Sequence, residues 1–157
     1  MKKYHFQKSD FACGPVAIFN TLIWAKNNVK FDDYYPDIFK SCKTDKEGTE
    51  DVNFINTINK YAKLFNIKVK ERKRINLNKL REYLAEPNHA ALVSHLDFYG
   101  EFHWSLWIDS GGWTRSFTCV NIDDKDVIAC ISQDGIERLL KNTRKKEPVQ
   151  IFLLEKS

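Results

Sequence analysis

Gln7 and Cys13 are the residues of this sequence whose types and spacing point most directly to covalent chemistry. Cys13 opens an apolar stretch with helical character, and the N-terminus of a helix lowers the pKa of a thiol placed there. Gln7 lies six residues upstream. Its amide can donate a hydrogen bond to the oxyanion that forms when a thiolate attacks a carbonyl. The pair therefore indicates a thiol nucleophile, which requires a histidine base elsewhere in the chain.

A β-hairpin in the second half of the chain carries a suitable histidine. The side chains of residues 102–109 are expected to alternate between the two faces of a strand. His103 then lies on the face opposite Trp104. Gly111-Gly112 signals a turn, and the return strand is predicted at about residues 116–122. The hairpin therefore places His103 on a strand beside a partner strand that can hold a third catalytic residue.

His103 needs an acceptor on its second ring nitrogen to keep the tautomer that can take a proton from a thiol. The predicted turn puts residue 103 opposite about residue 120, so Asn121 lies within one position of the cross-strand partner. The Asn121 amide oxygen or the Asp123 carboxylate could be that acceptor, and we favour Asn121. His95 is the other histidine that competes for the role of base, although its segment pairs less clearly with Asn121.

Helices come first in the chain and strands follow, which is an α+β order rather than a series of βαβ units. Pro15 suits the first turn of a helix over residues 13–26, where a missing N–H costs nothing. Thr49 is the expected N-cap of a second clear helix, marked by apolar residues at helical spacing. Further helices are predicted at about residues 31–39, 77–84 and 132–140, and strands at 67–70, 90–93, 102–109, 116–122, 127–131 and 149–154.

The length of 157 residues predicts a single domain, and 43% apolar and 13% aromatic residues are enough for a hydrophobic core. A net charge of +4 is too small to argue for a nucleic-acid partner, and the basic runs 68–74 and 144–146 are expected to be solvated faces. No apolar run reaches the roughly 18 residues that a membrane span requires.

The cysteines show no metal-ligand pattern. Cys13, Cys42, Cys119 and Cys130 form no C-x-x-C pair and have no zinc-type spacing to a histidine, so no metal or other cofactor is expected. The N-terminus lacks the apolar segment of a secretory signal, which predicts a cytoplasmic protein with reduced thiols.

Taken together, these residues resemble the papain-like cysteine peptidases, and within them the C39-type peptidases, which trim leader peptides after a double glycine. The resemblance covers nearly the whole chain. Two departures stand out: Ala12 replaces the usual Asp before the cysteine, and Asp123 is followed by Asp rather than Pro. The matching features are, in chain order, Gln7, Cys13-Gly14-Pro15, Glu47-Gly48-Thr49, the strand from His103 to Trp107 and the strand with Asn121.

The resemblance implies an α+β, papain-like fold in which N-terminal helices pack on an antiparallel sheet. It implies that Cys13 is the nucleophile, His103 the general base and acid, and Asn121 the residue that orients His103. Gln7 and the backbone N–H of Cys13 would form the oxyanion hole. The expected activity is hydrolysis of a peptide or isopeptide bond, in a peptide or protein substrate, through a thioester on Cys13.

Two alternatives from other functional classes remain open on the sequence alone. The same site could transfer the acyl group to an amine, or deamidate glutamine, instead of hydrolysing a peptide bond. Alternatively, the chain could be a binding module that keeps the fold without catalysis, although an intact set of Cys13, His103 and Asn121 speaks against this.

Overall fold

A computed structural model of the chain describes residues 2–96, 102–109, 116–140, 148 and 150–157. Its centre is a six-stranded antiparallel sheet in the order β1-β6-β2-β3-β4-β5. The strands are β1 (Ile67–Arg72), β2 (His89–Leu96), β3 (Phe102–Asp109), β4 (Ser116–Val120), β5 (Ile128–Ser132) and β6 (Gln150–Lys156). The helices are α1 (Cys13–Ala25), α2 (Phe31–Ser41), α3 (Asp51–Leu64), α4 (Leu77–Ala85) and α5 (Gln133–Leu139).

Helices cover both faces of the sheet, so the strands are apolar on both sides. One core lies between α1, α2, α3 and the sheet, and it includes the stacked rings of Phe54 and Trp104. The other core lies between α4, α5 and the opposite face, and it includes Trp107 and Phe117. Trp104 and Trp107 lie on opposite faces of β3 because they are three positions apart, and successive side chains of a strand alternate between the two faces.

Helix α1 is apolar around almost its whole circumference and is buried accordingly. All twelve residues from Cys13 to Trp24 are buried, and α1 packs against β3, α2 and α3. Because it is enclosed on all sides, α1 is held in a fixed position relative to β3. This packing fixes the N-terminus of α1, and Cys13 with it, relative to the end of the sheet.

Most of the predicted elements are confirmed, and β3 has the bounds that the alternation predicted. Ser132 caps α5 by accepting from the Gly135 N–H, as the sequence indicated. The prediction that Thr49 caps α3 is wrong: Glu50 occupies the N-cap position, and the Thr49 hydroxyl instead pairs with that of Thr44 at 2.7 Å.

The predicted register of the β3–β4 hairpin is also wrong. Val120 pairs with Leu106 rather than with residue 103, and the ladder is irregular between Trp107 and Asp109. Alternation locates a strand but not the residue at which a hairpin turns, which explains the shift. Gly111-Gly112 and the basic run at 144–146 lie outside the described residues.

In the described ranges, no helix is both long and apolar enough to cross a membrane. Among the same residues, no group of three or more His, Cys, Asp or Glu side chains is arranged to hold a metal ion. All four cysteines lie in the described part of the chain, and none of them forms a disulfide.

Candidate active site

Cys13 is the first residue of α1, and 9% of the residue is exposed. The preceding N-cap residue, Ala12, has no side chain that can bond to the free N–H groups of the first turn. No acidic residue occupies that turn either. The positive end of the helix dipole is therefore directed at the thiol, which favours the thiolate form.

Gly14 allows the first turn of α1 to pack closely against Thr49, in the segment that leads into α3. A Cβ atom at Gly14 would lie 2.8 Å from Thr49 Oγ1 and 3.5 Å from the Phe54 ring. The first of these distances is shorter than any ordinary carbon–oxygen contact, so only glycine permits this approach. The Cys-Gly-Pro and Glu-Gly-Thr motifs of the sequence thus meet in the fold.

An open cleft of about 520 Å³ runs up to Cys13. The turn at Asp10 and Phe11 and the loop 46–49 form its walls. Its floor is the end of the sheet, where Ser94, Trp104 and Gln150 lie side by side on three neighbouring strands. Phe102, which is 64% exposed, stands at the rim. The cleft offers an extended chain both apolar and polar contacts beside the thiol.

His103 is held by the main chain of Asn121. Its Nε2 lies 2.6 Å from the Asn121 carbonyl oxygen. A carbonyl oxygen can only accept a hydrogen bond, so Nε2 must carry the proton. In the neutral ring Nδ1 is then unprotonated, and it is the nitrogen that can accept a proton from a thiol.

Asn121 can present its carbonyl to His103 because it directly follows β4 in a left-handed conformation, with φ +58°. Asparagine tolerates this region better than most residues. Its own N–H donates to the Val127 carbonyl at 2.7 Å, which closes the loop between β4 and β5. The residue is buried, with 1% of its surface exposed.

The Asn121 side chain contacts Gln7 instead of His103. Asn121 Oδ1 accepts from the Gln7 main-chain N–H at 3.2 Å, and Asn121 Nδ2 donates to Gln7 Oε1 at 2.9 Å. Asn121 was expected to hold His103 through its amide oxygen, but the left-handed turn gives that task to the carbonyl. One residue therefore joins the histidine strand to the segment in front of Cys13.

The Gln7 amide nitrogen is directed at the turn that leads into Cys13. Gln7 Nε2 lies 3.0 Å from the Ser9 carbonyl oxygen and 3.5 Å from that of Asp10. The Ser9 carbonyl also accepts from the Ala12 N–H at 3.2 Å, which forms the turn itself. The Gln7 amide nitrogen therefore lies beside the turn that immediately precedes α1.

Asn20 anchors the segment that carries Gln7, a contact that the sequence analysis did not identify. The fully buried Asn20 side chain accepts from the His5 N–H at 2.7 Å and donates to the His5 carbonyl at 3.0 Å. The Asn20 side chain thereby satisfies the two main-chain groups of His5 that a neighbouring strand would otherwise satisfy. A buried asparagine in the middle of an otherwise apolar helix is the sequence signal for such a contact.

The two residues that competed for catalytic roles have other environments. The Asp123 carboxylate accepts from the main-chain N–H groups of Lys125 and Asp126, so it closes its own loop. His95 is fully buried, and neither ring nitrogen has a hydrogen-bond partner among the residues that the structure describes. Burial, together with the neighbouring His103, lowers the pKa of His95 to about 3. Because burial makes His95 a weak base, it is poorly suited to take up a proton.

An α+β fold with a cysteine at the start of a buried helix and a histidine on an adjacent antiparallel sheet is the papain-like arrangement. No protein-family model matches the chain, and no curated protein matches it in sequence. Solved structures of the same fold do match. Their identities of 14–15% make this a likeness of fold.

Three of the similar structures are peptidases or peptidase domains. That of Streptococcus ComA, a bifunctional ABC transporter involved in a quorum-sensing pathway, shares 14% identity, with 100% of both chains covered and a TM-score of 0.68. A double glycine motif protease from an AMS/PCAT transporter, in complex with the leader peptide, shares 14% identity, with 99% of this chain and 91% of that chain covered and a TM-score of 0.65.

The peptidase domain of Streptococcus mutans ComA, in complex with a small-molecule inhibitor, shares 15% identity, with 97% of this chain and 98% of that chain covered and a TM-score of 0.57. These likenesses confirm the predicted fold, with helices packed on an antiparallel sheet. At the level of fold they also confirm the resemblance to C39-type peptidases.

Proposed function

We propose that this chain is a cysteine peptidase in which Cys13 is the nucleophile and His103 is the general base and acid. In this proposal the Gln7 side chain and the Cys13 main-chain N–H stabilise the oxyanion. The chain would act as a single peptidase domain over residues 1–157, on a peptide or protein substrate and without a cofactor.

The contact chain from His103 through Asn121 to Gln7 is the observation that carries the proposal. It links the strand that bears the histidine to the turn that precedes the cysteine, through hydrogen bonds of 2.6–3.0 Å. A catalytic site of this type needs its base and its oxyanion donor held in a fixed relation to the nucleophile. A structural cysteine at a helix start would not require such a network.

The steps follow from the protonation state of each group. Nδ1 of His103 takes the proton from the Cys13 thiol, and the thiolate attacks the peptide carbonyl carbon. The resulting imidazolium keeps its Nε2–H bond to the Asn121 carbonyl, and Gln7 and the Cys13 N–H donate to the oxyanion. His103 then gives its proton to the leaving amine as the C–N bond breaks. Water, deprotonated by the same nitrogen, hydrolyses the thioester and regenerates the thiol.

The cleft beside Cys13 suits an extended peptide, because the open sheet end and the loop 46–49 leave room for a chain to approach the thiol. One structural neighbour is a double glycine motif protease bound to a leader peptide. A peptide with two consecutive glycines before the cleavage point is therefore the first substrate to test.

Mass spectrometry of a peptide library incubated with the protein tests the proposal. We expect cleaved products with wild-type protein and none with Cys13→Ala or His103→Ala. A thioester adduct on Cys13 should also be trapped by acid quenching. A gain of about one mass unit on an intact substrate would indicate deamidation, and a product joined to an added amine would indicate acyl transfer. Equal product formation by wild type and Cys13→Ala would overturn the proposal.

A further inference from the structure

We propose that the Asn121 side chain is a positioning residue for Gln7: it sets the orientation of the Gln7 amide so that Nε2 faces the Cys13 turn. This inference rests on the proposed function, because it gives Gln7 the role of oxyanion donor. It assigns the third residue of the site two separate tasks, since the main chain of Asn121 holds His103 and its side chain holds Gln7.

The main-chain N–H of Gln7 fixes the direction of the hydrogen bonds between the side-chain amides of Asn121 and Gln7. The Gln7 N–H can only donate, so the atom of Asn121 that faces it, at 3.2 Å, must be Oδ1. Asn121 Nδ2 then lies on the other side of the amide, 2.9 Å from Gln7, and the atom that meets it must be an acceptor. That acceptor is Oε1, so Gln7 Nε2 is left pointing at the Ser9 carbonyl.

Reversing either amide would create repulsive contacts in a partly buried place, because Gln7 is half-buried and Asn121 is buried. A reversed Gln7 amide would put Nε2 against Asn121 Nδ2 and Oε1 against the Ser9 carbonyl oxygen. A buried polar group without a partner is unfavourable, so the observed orientation is strongly preferred. The burial of Asn121 prevents water from serving as a substitute partner.

The network explains why an asparagine suits this position better than an aspartate. Both residues tolerate the left-handed backbone at position 121. A carboxylate would still accept from the Gln7 N–H, but its second oxygen would face Oε1. The Gln7 amide would then rotate, so that Nε2 donates to the carboxylate and no longer faces the Cys13 turn.

The Asn121→Asp variant distinguishes this proposal from a role in which the Asn121 side chain orients His103. If the side chain served His103, a carboxylate would be at least as good an acceptor, and the variant would stay active. If it serves Gln7, Asn121→Asp lowers kcat by about 10²-fold, the usual effect of losing one oxyanion donor. KM changes little, because the donor acts mainly in the transition state.

Asn121→Gly is the matched control for the main-chain task. Glycine keeps the left-handed backbone and the carbonyl that holds His103, but it has no side chain to hold Gln7. We expect the kcat of Asn121→Gly to fall by as much as that of Gln7→Ala. The part of the pH–rate profile that reports the titration of His103 should stay as in wild type. Adding Gln7→Ala to Asn121→Asp should cause no further loss, because the two changes remove the same interaction.

NMR gives a second readout that does not depend on activity. Nuclear Overhauser contacts of the Gln7 side-chain amide protons should reach Ser9 and Asp10 in wild type, and residue 121 in Asn121→Asp. Wild-type kcat in Asn121→Asp, or unchanged amide contacts, would overturn the inference. If wild type and Cys13→Ala are both inactive on every peptide, the proposed function fails, but the amide contacts still decide the orientation of Gln7.

Discussion

His95 and His103 are cross-strand partners in the β2–β3 pair, and their rings meet edge to face with centroids 5.5 Å apart. Of the two rings, that of His103 has a partner that fixes its proton, because its Nε2 bonds to the Asn121 carbonyl. His95 is fully enclosed, with both ring nitrogens unpartnered among the described residues. The pair therefore consists of one histidine suited to proton transfer and one that must stay neutral.

The neutral state of His95 predicts a pH dependence of stability. In the unfolded chain His95 gains a proton below a pH of about 6.5, whereas in the folded protein its pKa is about 3. The unfolded state then binds more protons in this interval. The free energy of unfolding should therefore decrease as the pH falls from about 6.5 towards 3, by up to about 1.4 kcal/mol per pH unit from this residue.

His95→Phe should make that decrease shallower, as measured by urea unfolding at a series of pH values. His5→Phe is the matched control, because His5 is only partly buried and already stacks on Phe31. Its replacement should alter the pH dependence much less. A His95→Phe variant as sensitive to acid as wild type would show that His95 is not the titrating group.

Gly14→Ala should disturb both stability and catalysis. The added Cβ meets Thr49 Oγ1 at 2.8 Å, and relief of such an overlap costs about 1–3 kcal/mol in a well-packed core. Because the overlap moves the start of α1, the rate per folded molecule should fall as well. Gly135→Ala has a similar overlap with Ile131, at 2.8 Å, but α5 does not line the cleft. Its kcat/KM should match wild type; an equal loss in both variants would contradict this explanation.

Asn20→Ala should release the segment that carries Gln7. The substitution removes the partners of the His5 N–H and carbonyl, and the expected loss is about 1–3 kcal/mol. Hydrogen exchange at the His5 amide should become faster. Thr21→Ala is the control, because the Thr21 hydroxyl bonds to the Ala17 carbonyl within α1 itself. If His5 exchanges equally fast in both variants, Asn20 does not anchor the segment.

Much of the fold is predictable because it follows from local patterns. Continuous apolarity after Cys13 predicts the buried helix α1, and alternation over residues 102–109 predicts β3. The register of β4 against β3 is not predictable in this way. It depends on where the connection turns and on the irregularity between Trp107 and Asp109, neither of which alternation encodes.

For the site, too, the sequence predicts which residues take part but not which of their atoms make the contacts. The sequence identifies Gln7, Cys13, His103 and Asn121 as candidates, and the structure joins three of them by hydrogen bonds. The sequence does not reveal that the carbonyl of Asn121, rather than its amide, holds His103. That detail depends on a φ of +58° at one residue, which is set by the β4–β5 loop.

Alkylation rates of the four cysteines in the native protein test the central claim most directly. Cys42 and Cys119 are buried, and burial raises the pKa of both thiols, to about 11 for Cys42, so neither should react. Cys130 is exposed and serves as the internal reference. At about pH 6 an ordinary thiol, with a pKa near 8.5, is almost entirely protonated and reacts slowly.

If Cys13 is an activated nucleophile, iodoacetamide should modify it faster than Cys130 at that pH, even though Cys13 is only 9% exposed. The advantage should disappear in His103→Ala, because the base that removes the thiol proton is then absent. Modification of Cys13 at or below the rate of Cys130 in the wild-type protein would contradict the assignment of Cys13 as the nucleophile.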